Sequence, residues 1–157
     1  MNMTEQEAKN IAEPIVKEIV NCISSGQYEH ICRFATFNNG CSDVIMKEML
    51  EGYLAVNGLS HYDVYDVPFI GNRSRLDVYV FDSGKGFAVD YDLSTDGQPN
   101  DLTLQIRFFN NGNGGYNAFV DDCHVLLILN KMNYEICEPD GSLYRNTILE
   151  AIPKVFS

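Results

Sequence analysis

Residues 87–108 read FAVDYDLSTDGQPNDLTLQIRF. Phe87, Val89, Tyr91 and Leu93 alternate with Ala88, Asp90 and Asp92. Leu102, Leu104, Ile106 and Phe108 alternate with Thr103, Gln105 and Arg107. Successive side chains on a strand point to opposite faces, so each run is a strand with one face in the core and one in water. The two runs are expected to pair antiparallel, with residues 92–100 as the connecting loop.

That loop raises the question of calcium. A helix–loop–helix calcium loop needs oxygen ligands at positions 1, 3, 5, 7, 9 and 12, with glycine at 6. Counting from Asp92, the chain supplies Asp92, Ser94, Asp96, Gln98 and Asn100, with Gly97 sixth. Position 12 is Thr103, where a bidentate glutamate is required, and strands rather than helices flank the stretch. The reading is therefore a long hairpin turn. Asp96-Gly97 tolerates positive φ, and Pro99 stiffens the loop. No metal and no cofactor are expected.

The same alternation extends outward. Leu76, Val78 and Val80 alternate with Asp77, Tyr79 and Phe81, and Ser83-Gly84-Lys85-Gly86 makes a tight hairpin connection. Residues 110–115, NNGNGG, lead to a fourth strand over 116–120. A weak strand over 62–69 ends at Pro68. Upstream the period changes. Thr4 and Glu7 fit a capping box ahead of Ile11, Ile15, Ile19 and Ile23, which recur every fourth residue beside Ala12, Val16 and Val20. Pro14 is expected to kink this helix or to begin a second one. Gly26 ends it, and a short helix follows over 27–34. Ser42 caps a third helix with Ile45, Met49 and Tyr53 on one face, stopped at Asn57-Gly58. Helix 1 is expected to cross the sheet so that Ile15, Ile19, Ile23, Val89, Leu104 and Ile106 are buried together. Beyond the fourth strand, 125–129 reads as strand or buried helix, 138–141 as a turn and 143–152 as a closing helix.

The chain has 157 residues, 45% of them hydrophobic, which suits one domain over residues 1–157 with a single core. It carries 22 acids and 11 bases, a formal net charge of −11. Such a chain repels phosphate backbones and anionic membranes, so nucleic acid and membrane are excluded as partners and a basic protein is favoured. No signal peptide or membrane span is read from the sequence. The five cysteines contain no CxxC pair, and with no export signal they point to reduced thiols and a cytoplasmic location.

Helices first and an antiparallel meander after them is α+β logic. N-terminal helices pack on a curved, mainly antiparallel sheet of four to six strands, followed by a C-terminal extension. A long first helix ending in SSGQYEHICRF, an acid-capped helix and four hairpin-linked strands together resemble the cone-shaped superfamily of nuclear transport factor 2 and ketosteroid isomerase. FAVDYDLSTDGQPNDLTLQIRF and FVDDCHVL are similar to small uncharacterised bacterial proteins placed near it. The resemblance covers about residues 8–126. It implies the fold, and it implies a site inside the cone built from a tyrosine and carboxylic acids, but it carries no individual residue over.

The candidate site residues come from the strands. Asp77 faces Asp90 if the 83–86 connection is tight, or Asp92 if it is one step longer. Either way Asp77, Asp90 and Asp92 share one outward face, and opposed like charges on a strand pair repel. Arg107 and Gln105 lie on that face of the next strand. The face is read as solvated and screened by Arg107 or a lysine, as a partner-binding surface, or as a metal or catalytic site. Asp121-Asp122-Cys123-His124 reads as strand-end residues, since adjacent strand positions point apart and cannot form a Cys–His dyad. No GxSxG surrounds a serine, so no hydrolase triad is supported.

Two functions follow. The first is a non-enzymatic binding or protein-interaction module, in the manner of an immunity protein that neutralises a basic toxin. The alternative is a small-molecule-binding protein, or an isomerase- or hydrolase-like enzyme, with a small apolar ligand in a pocket inside the cone. A homodimer through the exposed face of the sheet is compatible with either.

Overall fold

The computed structural model describes residues 3–38, 40–66 and 75–125. Helix α1 spans Glu5–Ser25, a 3-10 helix η1 Tyr28–Arg33, strand β1 Thr36–Phe37 and helix α2 Asp43–Asn57. Strands β2 (Leu76–Val80), β3 (Gly86–Thr95), β4 (Gln98–Asn110) and β5 (Tyr116–Val125) follow. They form one mixed five-stranded sheet in the order β1-β5-β4-β3-β2. The α+β class and the strand number expected from the sequence are found. The strand or buried helix at 125–129, the end of the weak strand over 62–69, the 138–141 turn and the 143–152 helix lie outside the described residues, apart from Val125 at the end of β5. Of the weak strand, Tyr62 makes a single bridge with Thr95.

Both helices begin and end where the caps predict. Thr4 accepts from the Glu7 amide, Ser42 accepts from the Ile45 amide, and Gly26 and Gly58 close the C-termini. Pro14 does not divide α1. It sits on the exposed side, where water can bond the carbonyl left without a donor.

The buried faces are rotated from those predicted. On α1 the core side is Ala8, Ala12, Val16, Ile19, Val20 and Ile23, while Ile11 and Ile15 sit half-buried at its edge. On α2 the buried residues are Met46, Leu50 and Tyr53, and Ile45 points to solvent. Both helices carry two overlapping stripes of 3–4 spacing, and packing selects the one with the smaller or better-fitting side chains.

The inner face of the sheet is the core. Phe87, Val89, Tyr91 and Leu93 of β3 and Leu102, Leu104, Ile106 and Phe108 of β4 are all buried. Phe87 stacks on Phe108 with ring centroids 4.8 Å apart. Gly86 begins β3 where the chain passes close to β4. A Cβ there would stand 1.9 Å from the Phe108 carbonyl oxygen, so only glycine fits.

The predicted long loop over 92–100 is instead mostly strand. Ser94 pairs with Pro99 and Thr95 with Gln98, leaving Asp96-Gly97 as a two-residue turn. Both turn residues have positive φ, 50° and 77°, the geometry whose twist matches an antiparallel ribbon. The register shifts between Asp92 and Ser94, so residues 100–102 bulge opposite Leu93. Asn100 holds the bulge by accepting from the Leu102 amide at 2.8 Å.

Strand β5 also runs further than the 116–120 predicted. Gln105 pairs with Asp122 and Ile106 with Val120, so Asp121 is an extra residue. The bulge restores the core phase, and Ala118, Val120 and Cys123 all point inward. Strand β1 pairs parallel with β5, Thr36 with Phe119 and Phe37 with Val120. Two residues are too few for any periodicity, so the sequence gives no sign of it.

Candidate functional site

The outer face of the sheet holds the predicted acids. The tight register is the one adopted, with Asp77 opposite Asp90 and Asp90 opposite Gln105 on the next strand. Asp92 does not pair with Asp77; it stands opposite Thr103, whose hydroxyl donates to it at 3.4 Å. Asp77 is exposed, and Asp90 and Asp92 are half-buried.

Arg107, expected to screen these acids, is drawn the other way. It pairs across the strands with Ala88, and its Nε donates to Asp121 on β5. Its guanidinium also lies 5.4 Å from the centre of the Phe109 ring. Asp121 in turn accepts from Asn38 Nδ2 at 2.8 Å, which ties the end of β1 to the sheet. Asp121 lies two residues after Phe119, the partner of Arg107 across the strands, so it shares the outer face with Arg107 as a diagonal neighbour. The face is thus graded along the strands. One end holds the acids, and the other holds Phe81, Phe109 and Phe119, whose neighbouring ring centroids are 5.8 Å apart.

A second polar cluster sits at the tip of the β3–β4 hairpin, and sequence reasoning missed it. Asp63 is buried and accepts from the Ser94 hydroxyl at 2.6 Å and from the Gly97 amide at 2.9 Å. Ser94 also accepts from buried Arg75 at 3.2 Å, and Arg75 reaches the Asp92 carbonyl at 2.6 Å and the Tyr91 ring at 4.8 Å. His61 Nε2 lies 3.4 Å from Asp63, and Nδ1 lies 2.9 Å from Asp96. Asp96 closes the cluster by accepting from the amides of Ser60 and His61.

Serine, aspartate and histidine are adjacent here, yet the order is wrong for nucleophilic catalysis. The serine proton goes to the carboxylate rather than to the imidazole, and Ser94 is buried. The cluster is a clamp that fastens residues 60–63 to the hairpin. Nothing in HYDVYD marks Asp63 apart from the other acids in sequence. Its partners are 31 and 34 residues away.

This geometry also answers the calcium question. Asp92 faces Thr103, Ser94 turns to Asp63, and Asp96 caps Ser60 and His61, so the three oxygens diverge. Among the described residues no group of three His, Cys, Asp or Glu side chains is placed to hold a metal ion. Calorimetric titration with calcium at low ionic strength should show no saturable binding. Binding tighter than millimolar would overturn this account of the hairpin.

Inside the sheet, burial pushes the Tyr62 and Tyr28 phenols well above their ordinary range, so both stay neutral. Tyr62 donates to the Leu50 carbonyl at 2.6 Å. Tyr91 accepts from the Asp66 amide and stacks on Tyr65 at 5.1 Å. Burial likewise raises the Cys22 thiol, and Cys123 lies in the core opposite Leu104, not at a strand end. Cys22 and Cys32 are free thiols. Two surface grooves flank α1. One, of about 330 Å³, lies against Met3, Glu7, Val80, Gly86 and Tyr116, and the other, of about 440 Å³, against Lys9, Asp77 and Tyr79. Among the described residues no helix is long and apolar enough to cross a membrane.

No curated protein matches this chain. Residues 20–126, more than half of the chain, match the model of a family described as a domain of unknown function, DUF7668, and the chain belongs to that family.

Proposed function

We propose that the chain is a non-enzymatic protein-interaction module that takes a basic protein on the acidic end of its outer sheet face, in the manner of an immunity protein. The observation that carries this reading is that strand phase sets Asp77, Asp90 and Asp92 on one outward face, at the end of the sheet away from the Phe81, Phe109 and Phe119 rings. A face of that sign attracts a cationic partner. The net charge of −11 adds long-range attraction for the same partner. The fold is read as a relative of the nuclear transport factor 2 and ketosteroid isomerase cone. The support is the element order: long helix, short helix, capped helix, then hairpin-linked strands.

An enzyme of that superfamily would use a buried carboxylate facing an open cavity. The buried carboxylate described here, Asp63, has its oxygens engaged by Ser94 and Gly97, which favours the interaction reading.

The test is a pair of measurements on the variant Asp77→Asn/Asp90→Asn/Asp92→Asn. Its melting temperature should match or slightly exceed that of the parent. Its association rate with small basic proteins should fall, and the dependence of that rate on salt should flatten. A marked loss of stability with unchanged association would mean that these carboxylates are structural acceptors.

A further inference from the structure

Strand β2 ends the sheet, and among the described residues no strand pairs with its outer side. The antiparallel ladder fixes which backbone groups face that side. The Phe81 amide donates to the Gly86 carbonyl, and the Asp92 amide donates to the Arg75 carbonyl. The bonded pairs with β3 therefore fall at residues 75, 77, 79 and 81, and the amides and carbonyls of Val78 and Val80 point away from β3. Such an edge is a template for a further strand. It carries neither the proline nor the bulge that blunts many edges. The space beside it is open. A groove of about 440 Å³ separates the edge from the first turns of α1, against Glu5, Gln6, Lys9, Asp77, Val78 and Tyr79.

The alternation of β2 sets the chemistry of the strand that fits. Val78 and Val80 are half-buried and pack against the core, while Asp77 and Tyr79 are exposed on the outer face. An added antiparallel strand extends the β2–β5 meander, and antiparallel pairing is the more stable per residue. Its residues opposite Val78 and Val80 face the α1 side of the groove, where apolar side chains continue the inner face. Its residue opposite Asp77 joins the row of Asp77, Asp90 and Gln105 that crosses β2, β3 and β4. Lysine or arginine there pairs directly across the strands with Asp77. A second copy does not supply that cation, because β2 reads LDVYV, and two chains of net charge −11 repel. We propose that the β2 edge takes an extended segment of another protein as a further strand, apolar at the positions facing α1 and basic at the positions between. The added strand rests on the reading of the outer face as a surface for a basic protein, and makes main-chain pairing the form of that contact.

The test uses the full chain and labelled synthetic peptides of about eight residues, long enough to span β2, that alternate valine with lysine or valine with glutamate. Fluorescence anisotropy should show binding of the lysine peptide roughly ten-fold or more tighter than the glutamate peptide. Asp77→Lys, at an exposed position, should narrow that preference by roughly five-fold, the effect of turning one cross-strand pair from attraction to repulsion. N-methylation of the valine amides, which face β2 in the antiparallel register, should weaken the lysine peptide by roughly ten-fold or more. N-methylation of the lysine amides, which face away, should leave its affinity unchanged. Saturating lysine peptide should slow hydrogen exchange at the Val78 and Val80 amides by roughly ten-fold or more. Equal binding after methylation of the valine amides would overturn strand addition and leave the acidic face standing as a surface for basic proteins. Equal binding of the lysine and glutamate peptides, with valine methylation still harmful, would leave an edge that adds strands without regard to charge and would overturn the basic partner. Slow exchange of Val78 and Val80 in the free protein would mean that the edge is already covered and would overturn the proposal. The cover is then a second copy if sedimentation shows a dimer, and the chain itself if it shows a monomer.

Discussion

Replacing Asp63 with alanine should destabilise the protein by about 3–5 kcal/mol, the range for removing one partner from a buried charged network. The carboxylate is buried and accepts from the Ser94 hydroxyl and the Gly97 amide, and His61 stands beside it. Alanine strips the acceptor from a buried hydroxyl and from a turn amide at once, and leaves a cavity where the carboxylate stood. Ser94 also accepts from Arg75, so the loss reaches the hydrogen bond that joins buried Arg75 to the cluster. Asp63→Asn should fall between the two, since one carbonyl oxygen remains. Urea unfolding followed by far-UV circular dichroism gives both values, with the slope checking that the unfolded states are alike. A loss below about 1 kcal/mol for alanine would mean that the network is solvated and that the hairpin tip holds without it.

That cluster also shows where sequence reading stops. The alternation in β3 and β4 is legible because one face is apolar, and pairing of 87–93 with 102–108 follows directly. Ser94 and Thr95 are buried as well, but by residues 60–63 folding over them, and so their polarity reads as loop. No local pattern announces a polar residue buried by a distant segment, and the hairpin is therefore longer and its turn tighter than predicted. Strand β5 hides for a related reason. Asp121 and Asp122 break the alternation, yet the bulge absorbs one of them and Cys123 returns to the core. On α2 two stripes of equal quality compete, Ile45–Met49 and Met46–Leu50, and contact with η1 rather than periodicity settles which is buried. Of the site, the shared face of Asp77, Asp90 and Asp92 follows from strand phase alone. The fate of Arg107 does not, because its partner Asp121 lies on β5 beyond the strand expected over 116–120.

The centre of the core is where strand phase and helix packing have to agree, and there the second large effect is expected. Ile106 is fully buried, paired with Val89 on β3 and with Val120 on β5. Ile19 is fully buried on the side of α1 that packs against the sheet. Either residue changed to alanine should cost about 2–5 kcal/mol, combining lost transfer energy with the cavity left in a close-packed interior. The upper part of the range is expected for Ile106, because backbone pairing on both sides prevents the strand from moving in to fill the gap. Ile15 supplies the internal control. It lies on the same helix one turn before Ile19 but is only half-buried, so Ile15→Ala should cost less than about 1 kcal/mol by the area it keeps in water. Equilibrium unfolding of the three single variants decides the matter. Equal losses at Ile15 and Ile19 would mean that α1 is rotated toward the stripe at 11, 15, 19 and 23. A loss below about half a kcal/mol at Ile106 would place the inner and outer faces of the sheet the other way round, and would carry the outer face of Asp77, Asp90 and Asp92 into the core, where opposed carboxylates are not tolerated.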